Sequence, residues 1–256
     1  MRSSDRRRLV ARLCALAVLA GAPARADDGA AELLRGERIF GRFCVPCHGR
    51  SGRGDGETAR FLPVPPRDLT LGVFKWRSTP SGAWPTDADL VRTVREGTGG
   101  SRMPAFGAIL PARELFAVAR FVATLSPRFA QQRIADGDRL QVPPRPPWSE
   151  PLVARGRVVY ERMQCGRCHG PRGRGDGVAA AELRDDLGRP IRAFDFTRGD
   201  FRGGGSPEDV YRTFMTGLDG TPMPSYAGSM APDEAWALVA FVRTLERPRG
   251  WLLTRP

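Results

Sequence analysis

The sequence lacks several features that define common classes of protein. Beyond the N-terminus, no stretch is long and apolar enough to cross a bilayer, which takes about 20 apolar residues. No segment alternates apolar and polar residues as a half-buried strand does, so the sequence predicts an all-α fold. Histidine occurs only twice and lysine once, at Lys75, so nitrogen ligands for a metal are scarce.

Positive charge comes almost entirely from arginine. The 256 residues hold 40 basic and 28 acidic side chains, a formal net charge of +12, and 41% hydrophobic residues, which is within the globular range. No basic helix or aromatic platform of a nucleic-acid-binding protein is present, so we expect no nucleic-acid partner. The arginines either steer an acidic protein partner or form ordinary solvated surface.

Residues 1–26 have the pattern of a secretory signal peptide. Three arginines, Arg6–Arg8, precede an apolar run over Leu9–Ala22, and Ala24-Arg25-Ala26 provides a small-x-small cleavage site. The alternative is an uncleaved anchor, but the apolar run is short and interrupted by Arg12. We expect cleavage after Ala26, export to the periplasm, and membrane association only through a partner complex.

Both histidines and four of the five cysteines lie in two short motifs, Cys44-Val45-Pro46-Cys47-His48 and Cys165-Gly166-Arg167-Cys168-His169. C-x-x-C-H is the attachment signature of c-type haem. On a helix these cysteines and the histidine share one face, so two thioethers can hold the porphyrin edge while the imidazole reaches the iron. The motifs predict two covalent haem c groups, with His48 and His169 as axial ligands to iron.

Other interpretations of these motifs are zinc binding and disulfide formation. C-x-x-C pairs occur in zinc sites, and an exported protein ordinarily favours disulfides. A histidine directly after each pair, twice, favours haem. The glycine-rich segments that follow, Gly52–Gly56 and Gly173–Gly177, lack the Gly-Lys-Ser/Thr ending and the preceding strand of a phosphate loop. We expect them to form tight turns beside each haem.

The chain is an internal repeat. Residues 89–125 align with 209–245 without a gap at an offset of 120, and His48–Gly56 matches His169–Gly177 at an offset of 121. Between the copies, five prolines over Val142–Pro151 predict a stiff, extended connector. The predicted organisation is a signal peptide at 1–26, a first domain at 27–130, a linker at 131–150 and a second domain at 151–256.

Each half shows the same order of helices. The sequence predicts a haem-bearing helix at about Ala31–Cys47 or Leu152–Cys168, a second helix at 87–97 or 207–217, and a last helix starting near Pro111 or Pro232. The last helices carry apolar stripes at helical spacing. These stripes are Leu115, Val118, Ala119, Val122, Leu125 and Ala235, Leu238, Val239, Val242, Leu245.

Methionine is the best remaining candidate for the second iron ligand. No third histidine exists for a bis-histidine haem, and arginine stays protonated and cannot ligate. Met103 and Met223 lie in matched Met-Pro loops, 55 and 54 residues after the two histidines. A thioether suits haem iron and raises its potential. Of the remaining internal methionines, Met163 lies two residues before a haem cysteine, on the proximal side, and Met215 and Met230 are interpreted as packing residues.

The order of C-x-x-C-H, glycine-rich loop, proline-rich segment, Met-Pro loop and amphipathic helix resembles class I cytochrome c. Two such modules in one exported chain resemble the bacterial periplasmic di-haem cytochromes of the cytochrome c4 type, over about residues 31–127 and 151–247. The resemblance implies two tandem class I cytochrome c domains in which the first and last helices pack together. It also implies that Cys44, Cys47, His48 and Met103 hold one haem, and Cys165, Cys168, His169 and Met223 the other.

The resemblance further implies a hydrogen bond from each ligating imidazole to a prolyl carbonyl, with Pro65 or Pro66 and Pro190 as candidates. The expected function is electron transfer: each iron would shuttle single electrons between a protein donor and a protein acceptor, without making or breaking a substrate bond. The chain would work as a free carrier or as a subunit of a larger oxidoreductase complex. The alternative is a di-haem peroxidase-like enzyme or small-ligand sensor with one open haem iron.

Overall fold

The computed structural model describes residues 24–130 and 139–246. Residues 1–23 of the predicted signal peptide, residues 131–138 of the predicted linker and residues 247–256 of the predicted second domain lie outside the described residues. The described ranges contain no strand, only isolated bridges between Thr98 and Met103 and between Arg184 and Pro190. The all-α prediction is therefore confirmed.

Each half of the chain contributes four α-helices within these ranges, and we call the halves the N-terminal and C-terminal modules. The N-terminal module contains α1 (Ala24–Phe43), α2 (Val45–His48), α3 (Asp87–Glu96) and α4 (Ala112–Thr124). The C-terminal module contains α5 (Glu150–Arg162), α6 (Gly166–His169), α7 (Pro207–Thr216) and α8 (Pro232–Thr244). Short 3₁₀ turns occupy the loops at Ala59–Phe61, Leu69–Leu71, Pro127–Ala130, Ala180–Glu182 and Phe196–Arg198.

The prediction that one helix carries each haem motif was wrong. In the N-terminal module α1 ends at Phe43 and α2 follows as a separate single turn. Pro46 lies within α2, where it has no N–H to donate to the preceding turn. In the C-terminal module Gln164 adopts a left-handed φ of 56° and ends α5. The amide of Cys165 then donates to the carbonyl of Tyr160, which completes a Schellman-type helix end.

The first long helix of each module packs against the last, as the family resemblance implied. Glycines allow the close approach: a Cβ at Gly36 would lie 2.1 Å from the carbonyl oxygen of Ala117, and one at Gly156 would lie 1.9 Å from that of Ala237. An aromatic pair packs beside each crossing, with ring centroids 5.3 Å apart in both cases. These pairs are Phe40 with Phe121 and Tyr160 with Phe241.

The predicted apolar stripes of the last helices form the centre of each module. Four of the five residues in each stripe are buried, and the fifth, Leu125 or Leu245, is partly buried at the helix end. The middle helices, α3 and α7, begin at capping boxes formed by Thr86 with Asp89 and by Ser206 with Asp209. The capping boxes fix the direction in which the chain enters these helices, and so the position of the Met-Pro loops that follow them.

Replacing Gly36 with alanine is expected to destabilise the protein by about 1–3 kcal/mol, because the added methyl group forces α1 away from α4. Gly41 in the same helix provides the matched control, since a Cβ there meets nothing within 4 Å. Gly41→Ala should stabilise by about 0.5–1 kcal/mol through helix propensity. Thermal unfolding of the two holoprotein variants measures the difference. Equal shifts in Tm would contradict a steric role for Gly36.

Residues 139–149 pass along both modules without forming a helix until α5 begins. The amide of Leu140 donates to the carbonyl of Ser78, at 2.7 Å, in the N-terminal module. The indole N–H of Trp236 in the C-terminal module donates to the carbonyl of Pro143, at 3.3 Å. This segment of the connector is therefore fixed to both modules.

A buried arginine joins the two modules directly. The Arg77 side chain is 0% exposed, and its Nη2 donates to the carbonyl of Thr216, at 2.7 Å, and to Oδ1 of Asp219, at 2.8 Å. The Asp219 carboxylate also accepts from the Ser81 hydroxyl, at 2.8 Å, and from the Gly82 amide, at 2.9 Å. We call this set of bonds between Arg77, Ser81, Gly82, Thr216 and Asp219 the inter-module clamp.

Candidate haem site

One cavity of about 840 Å³ extends between the two modules. All eight predicted site residues line it: Cys44, Cys47, His48, Met103, Cys165, Cys168, His169 and Met223. Most of the remaining lining residues are aliphatic or aromatic, including Phe74, Phe106, Phe194 and Phe214. An apolar cavity with a few converging polar groups is typical of a cofactor site.

The glycine-rich loops fold back onto the haem-binding motifs. The amide of Gly54 donates to the carbonyl of His48, at 2.8 Å, and the amide of Gly56 to that of Cys47, at 3.1 Å. The same two bonds recur in the C-terminal module, from Gly175 to His169 and from Gly177 to Cys168. They satisfy the carbonyls at the end of the single-turn helices, so the predicted tight turns support the motifs.

Glycine is required where these loops touch the motifs. A Cβ at Gly56 would lie 2.3 Å from the carbonyl oxygen of Pro46, and one at Gly177 would lie 2.2 Å from that of Arg167. Gly54 and Gly175 also adopt positive φ angles of 78° and 74°, which side chains other than glycine rarely adopt. The repeated Gly-Arg-Gly-Asp-Gly sequence is thus a structural support for the motif.

The four motif cysteines are free thiols, so no disulfide closes either pair. Burial raises the pKa of Cys44 and of Cys165 to about 11, so both stay protonated at neutral pH. Zinc binds thiolates, so a zinc site here would first have to displace these protons. Within residues 24–130 and 139–246, no group of three or more histidine, cysteine, aspartate or glutamate side chains is placed to hold a metal ion. Partly buried neutral thiols beside an apolar cavity fit thioether attachment of haem.

Both histidines are held by a backbone carbonyl. Nδ1 of His48 lies 3.2 Å from the carbonyl oxygen of Arg67, and Nδ1 of His169 lies 2.9 Å from that of Phe194. A carbonyl can only accept, so Nδ1 carries the proton and Nε2 keeps its lone pair for a metal. Burial lowers the pKa of both histidines, and the carbonyl bond raises it by less, so the imidazoles stay neutral.

The prediction that prolyl carbonyls accept the hydrogen bonds of the two imidazoles was wrong. The carbonyl of Pro66 faces Gly54, where a Cβ would lie 2.5 Å from its oxygen, and the imidazole reaches the next carbonyl, that of Arg67. The sequence held a signal for the correct residues. Asp68-Leu69-Thr70 matches Asp195-Phe196-Thr197, and the residues directly before these segments are Arg67 and Phe194. Each aspartate accepts a hydrogen bond from the threonine amide two residues later and fixes the turn.

The two Met-Pro loops have the same hydrogen bonds despite different sequences. The Met103 amide donates to the Ser101 hydroxyl, and the Met223 amide to the Thr221 hydroxyl, both at 3.3 Å. Each hydroxyl in turn donates to a carbonyl three residues earlier, that of Thr98 at 2.9 Å or that of Leu218 at 2.7 Å. The two methionines are therefore held by the same hydrogen bonds, although Arg102 before Met103 has a φ of 71° and Pro222 before Met223 does not share this positive φ.

The other methionines described by the structure pack in the apolar core of the C-terminal module. Met215 and Met230 are buried there, and Met163 is partly buried against the same cluster. The interpretation of Met215 and Met230 as packing residues is confirmed. The donor set at the cavity is then one neutral imidazole and one thioether from each module, which is a known axial pair for haem iron in cytochromes c. The residues present fit two haem groups.

Comparison with known proteins identifies each half. Residues 31–122 match the family of cytochrome c oxidase, cbb3-type, subunit III, and residues 153–246 match the cytochrome c family. The FixP subunit of the cbb3-type cytochrome c oxidase of Bradyrhizobium diazoefficiens is 25% identical over 213 residues, or 82% of this chain. The chain spans 60% of the length of that relative.

A solved structure is similar over nearly its whole length. A chain of the reducing HAO-like protein complex of Kuenenia stuttgartiensis is 41% identical in sequence and superposes with a TM-score of 0.80. The alignment covers 83% of this chain and 96% of that chain. Among the described residues, no helix is long and apolar enough to cross a membrane. From the two domain matches, this relative and the paired sites, the chain belongs to the class I di-haem c-type cytochromes and binds two haem c groups covalently.

Proposed function

We propose that the protein carries single electrons between protein partners through two haems, each ligated by histidine and methionine. In this proposal Cys44 and Cys47 attach the first haem and Cys165 and Cys168 the second. His48 with Met103, and His169 with Met223, are the axial ligands. The observation that carries the proposal is the single cavity, which both C-x-x-C-H motifs and both Met-Pro loops line. In this proposal the first cytochrome c domain spans residues 27–130 and the second spans residues 151–256.

The chain's own residues orient and protect the redox groups. When bound, haem supplies the change between ferric and ferrous iron. The carbonyls of Arg67 and Phe194 hold the imidazole rings in the tautomer that ligates through Nε2. Apolar side chains exclude water, and the methionine loops are fixed by backbone hydrogen bonds on both sides. Fixed ligands and a dry cavity are what an electron carrier uses to set its potential.

We further propose that the chain acts as an electron-transfer subunit of a periplasmic redox complex and is not itself an enzyme. The relatives named above are a subunit of a cbb3-type cytochrome c oxidase and a chain of a reducing HAO-like protein complex, which supports the proposal. The net positive charge of the chain would favour partners with acidic docking surfaces. N-terminal sequencing of the exported protein tests the location, with Asp27 expected as the first residue.

A redox-titrated absorption spectrum of the holoprotein tests the ligation. Two low-spin haems are expected, both with the weak far-red band of methionine bound to ferric haem and both with positive potentials. One high-spin haem that lacks this band and rapidly binds stoichiometric carbon monoxide would overturn the proposal. That result would support the peroxidase-like or sensor function, and the module containing the high-spin haem would identify the open site.

A further inference from the structure

In the part of the chain that the structure describes, several cations line the shared cavity without an ion pair, including Arg67, Arg102 and Arg192, and two more, Lys75 and Arg202, lie at matching positions in the two modules. Lys75 and Arg202 face it from the N-terminal and C-terminal modules, respectively. Among the described residues, neither side chain forms a hydrogen bond or an ion pair, and Nε of Arg202 is buried with no acceptor. A cation held away from water without a partner is unfavourable, because nothing replaces the hydration that it loses. Such a pair implies an anion in the cavity.

The two cations occupy equivalent positions in the repeat. Asp68–Lys75 reads DLTLGVFK and Asp195–Arg202 reads DFTRGDFR, at an offset of 127. Each segment directly follows the carbonyl that holds the histidine of its own module. Each contains the same aspartate–threonine turn. The cation is therefore a repeated feature of both sites, whereas an accidental buried charge would occur once.

The electrostatic surroundings of Lys75 are also positive. Arg67 and Arg202 line the same cavity, and Arg189 is close enough to repel the ammonium group, while Asp185 is the acidic group that opposes them. Burial, with these arginines, lowers the pKa of Lys75 to about 8. These surroundings disfavour the charged form of Lys75, and a negative group placed beside it would stabilise that form.

We propose that Lys75 and Arg202 each hold a carboxylate of a haem group, and that the lysine gives one of the two haems a proton-linked potential. This inference rests on the two haems and deepens the proposed electron-transfer function. Arginine stays protonated at all relevant pH values, so the haem beside Arg202 keeps its compensating charge. Lys75 can lose its proton, and the loss of a positive charge near iron favours the ferric state and lowers the potential.

The sign of the pH dependence follows from these groups. A carboxylate partner raises the pKa of Lys75 above the value of about 8 that the protein alone sets. The potential of one haem should thus be constant near neutral pH and fall on the alkaline side, while that of the other haem stays constant. The separation between the two potentials then changes with pH.

Potentiometric titration of the holoprotein between about pH 6 and pH 10 tests this inference. Lys75→Arg should remove the alkaline fall, and Arg202→Lys should introduce one for the other haem. Lys75→Met and Arg202→Met should each lower the potential of one haem at neutral pH. The expected shift is about 59 mV, which corresponds to a tenfold change in the equilibrium constant of one-electron exchange. Arg157→Met is the control, since Arg157 is 71% exposed and does not line the cavity.

Three results would overturn the inference: an alkaline fall that persists in Lys75→Arg, unchanged potentials in both methionine variants, or an equal shift in Arg157→Met. Repeating the titration with and without inorganic phosphate separates the sources of the anion. If the effect of Lys75 requires phosphate, the site binds an anion from solution and the assignment to haem carboxylates is wrong. The far-red methionine band, recorded for every protein, reports the proposed ligation independently of these potentials.

Discussion

Replacing Met223 with leucine is expected to remove the sixth ligand of the haem in the C-terminal module. Leucine has a similar volume and no lone pair, so packing is kept while ligation is lost, at a cost in stability below about 1.5 kcal/mol. The far-red band should fall by half, because one of two methionine-ligated haems loses it. The potential of that haem should fall by more than about 59 mV, a tenfold change in the equilibrium constant, because thioether ligation raises it.

Met215→Leu is the matched control for this experiment. Met215 is 6% exposed, lies in the apolar core of the same module and has no proposed contact with iron. Its replacement should leave both bands and both potentials unchanged. The corresponding change in the other module, Met103→Leu, should affect the first haem alone. A full far-red band in Met223→Leu would exclude Met223 as a ligand, while a change in Met215→Leu would show that core packing, and not ligation, sets the spectrum.

Replacing Arg77 with methionine is expected to destabilise the protein by about 3–5 kcal/mol, because it breaks a buried ion pair and leaves Asp219 without its main partner. The carbonyl of Thr216, at the end of α7, also loses a donor. Thermal unfolding measures the loss. Arg120→Met provides a control on the surface, where the pair with Asp87 is more than one-third exposed on both sides and contributes about 0–1 kcal/mol.

The effect of Arg77→Met should be larger at one haem than at the other. The clamp holds Thr216 and Asp219, which begin the loop that carries Met223. The Met103 loop has no equivalent clamp: Gly99, at the position of Asp219, packs against the backbone of Asp200. On warming, Arg77→Met should lose the far-red band of the C-terminal haem first. Simultaneous loss at both haems would indicate global unfolding, and a double-mutant cycle with Asp219→Asn separates the pair energy from that of the loop.

Features that repeat within the sequence were the ones that could be predicted from it. The paired C-x-x-C-H motifs, the Met-Pro loops and the apolar stripes of α4 and α8 each occur twice at matched spacing, so each copy supports the interpretation of the other. The middle helices, α3 and α7, begin at the predicted residues 87 and 207 because acidic residues, and in α7 also Pro207, mark their first turns.

Features that depend on one residue or on distant partners could not be predicted. The break before α6 requires a left-handed Gln164, a conformation that sequence seldom reveals outside glycine and asparagine. The carbonyls that hold the histidines are backbone atoms, so their identity depends on loop geometry and not on residue type. Arg77 and its acceptor on Thr216 are separated by 139 positions, and the ion pair that Arg77 forms with Asp219 has no counterpart in the other copy.

The inter-module clamp has a consequence for how a chain of this kind can arise by gene duplication. Neither residue of its ion pair is present at the matching position of the other copy, where Gly99 stands for Asp219 and Gly204 for Arg77. A free-standing single-haem ancestor would have no use for either charge. Arg77 alone would be a buried, uncompensated cation, so the pair is expected to be fixed together, after the two halves were already joined. From that point on, separating the halves would leave each member of this pair without its counter-charge.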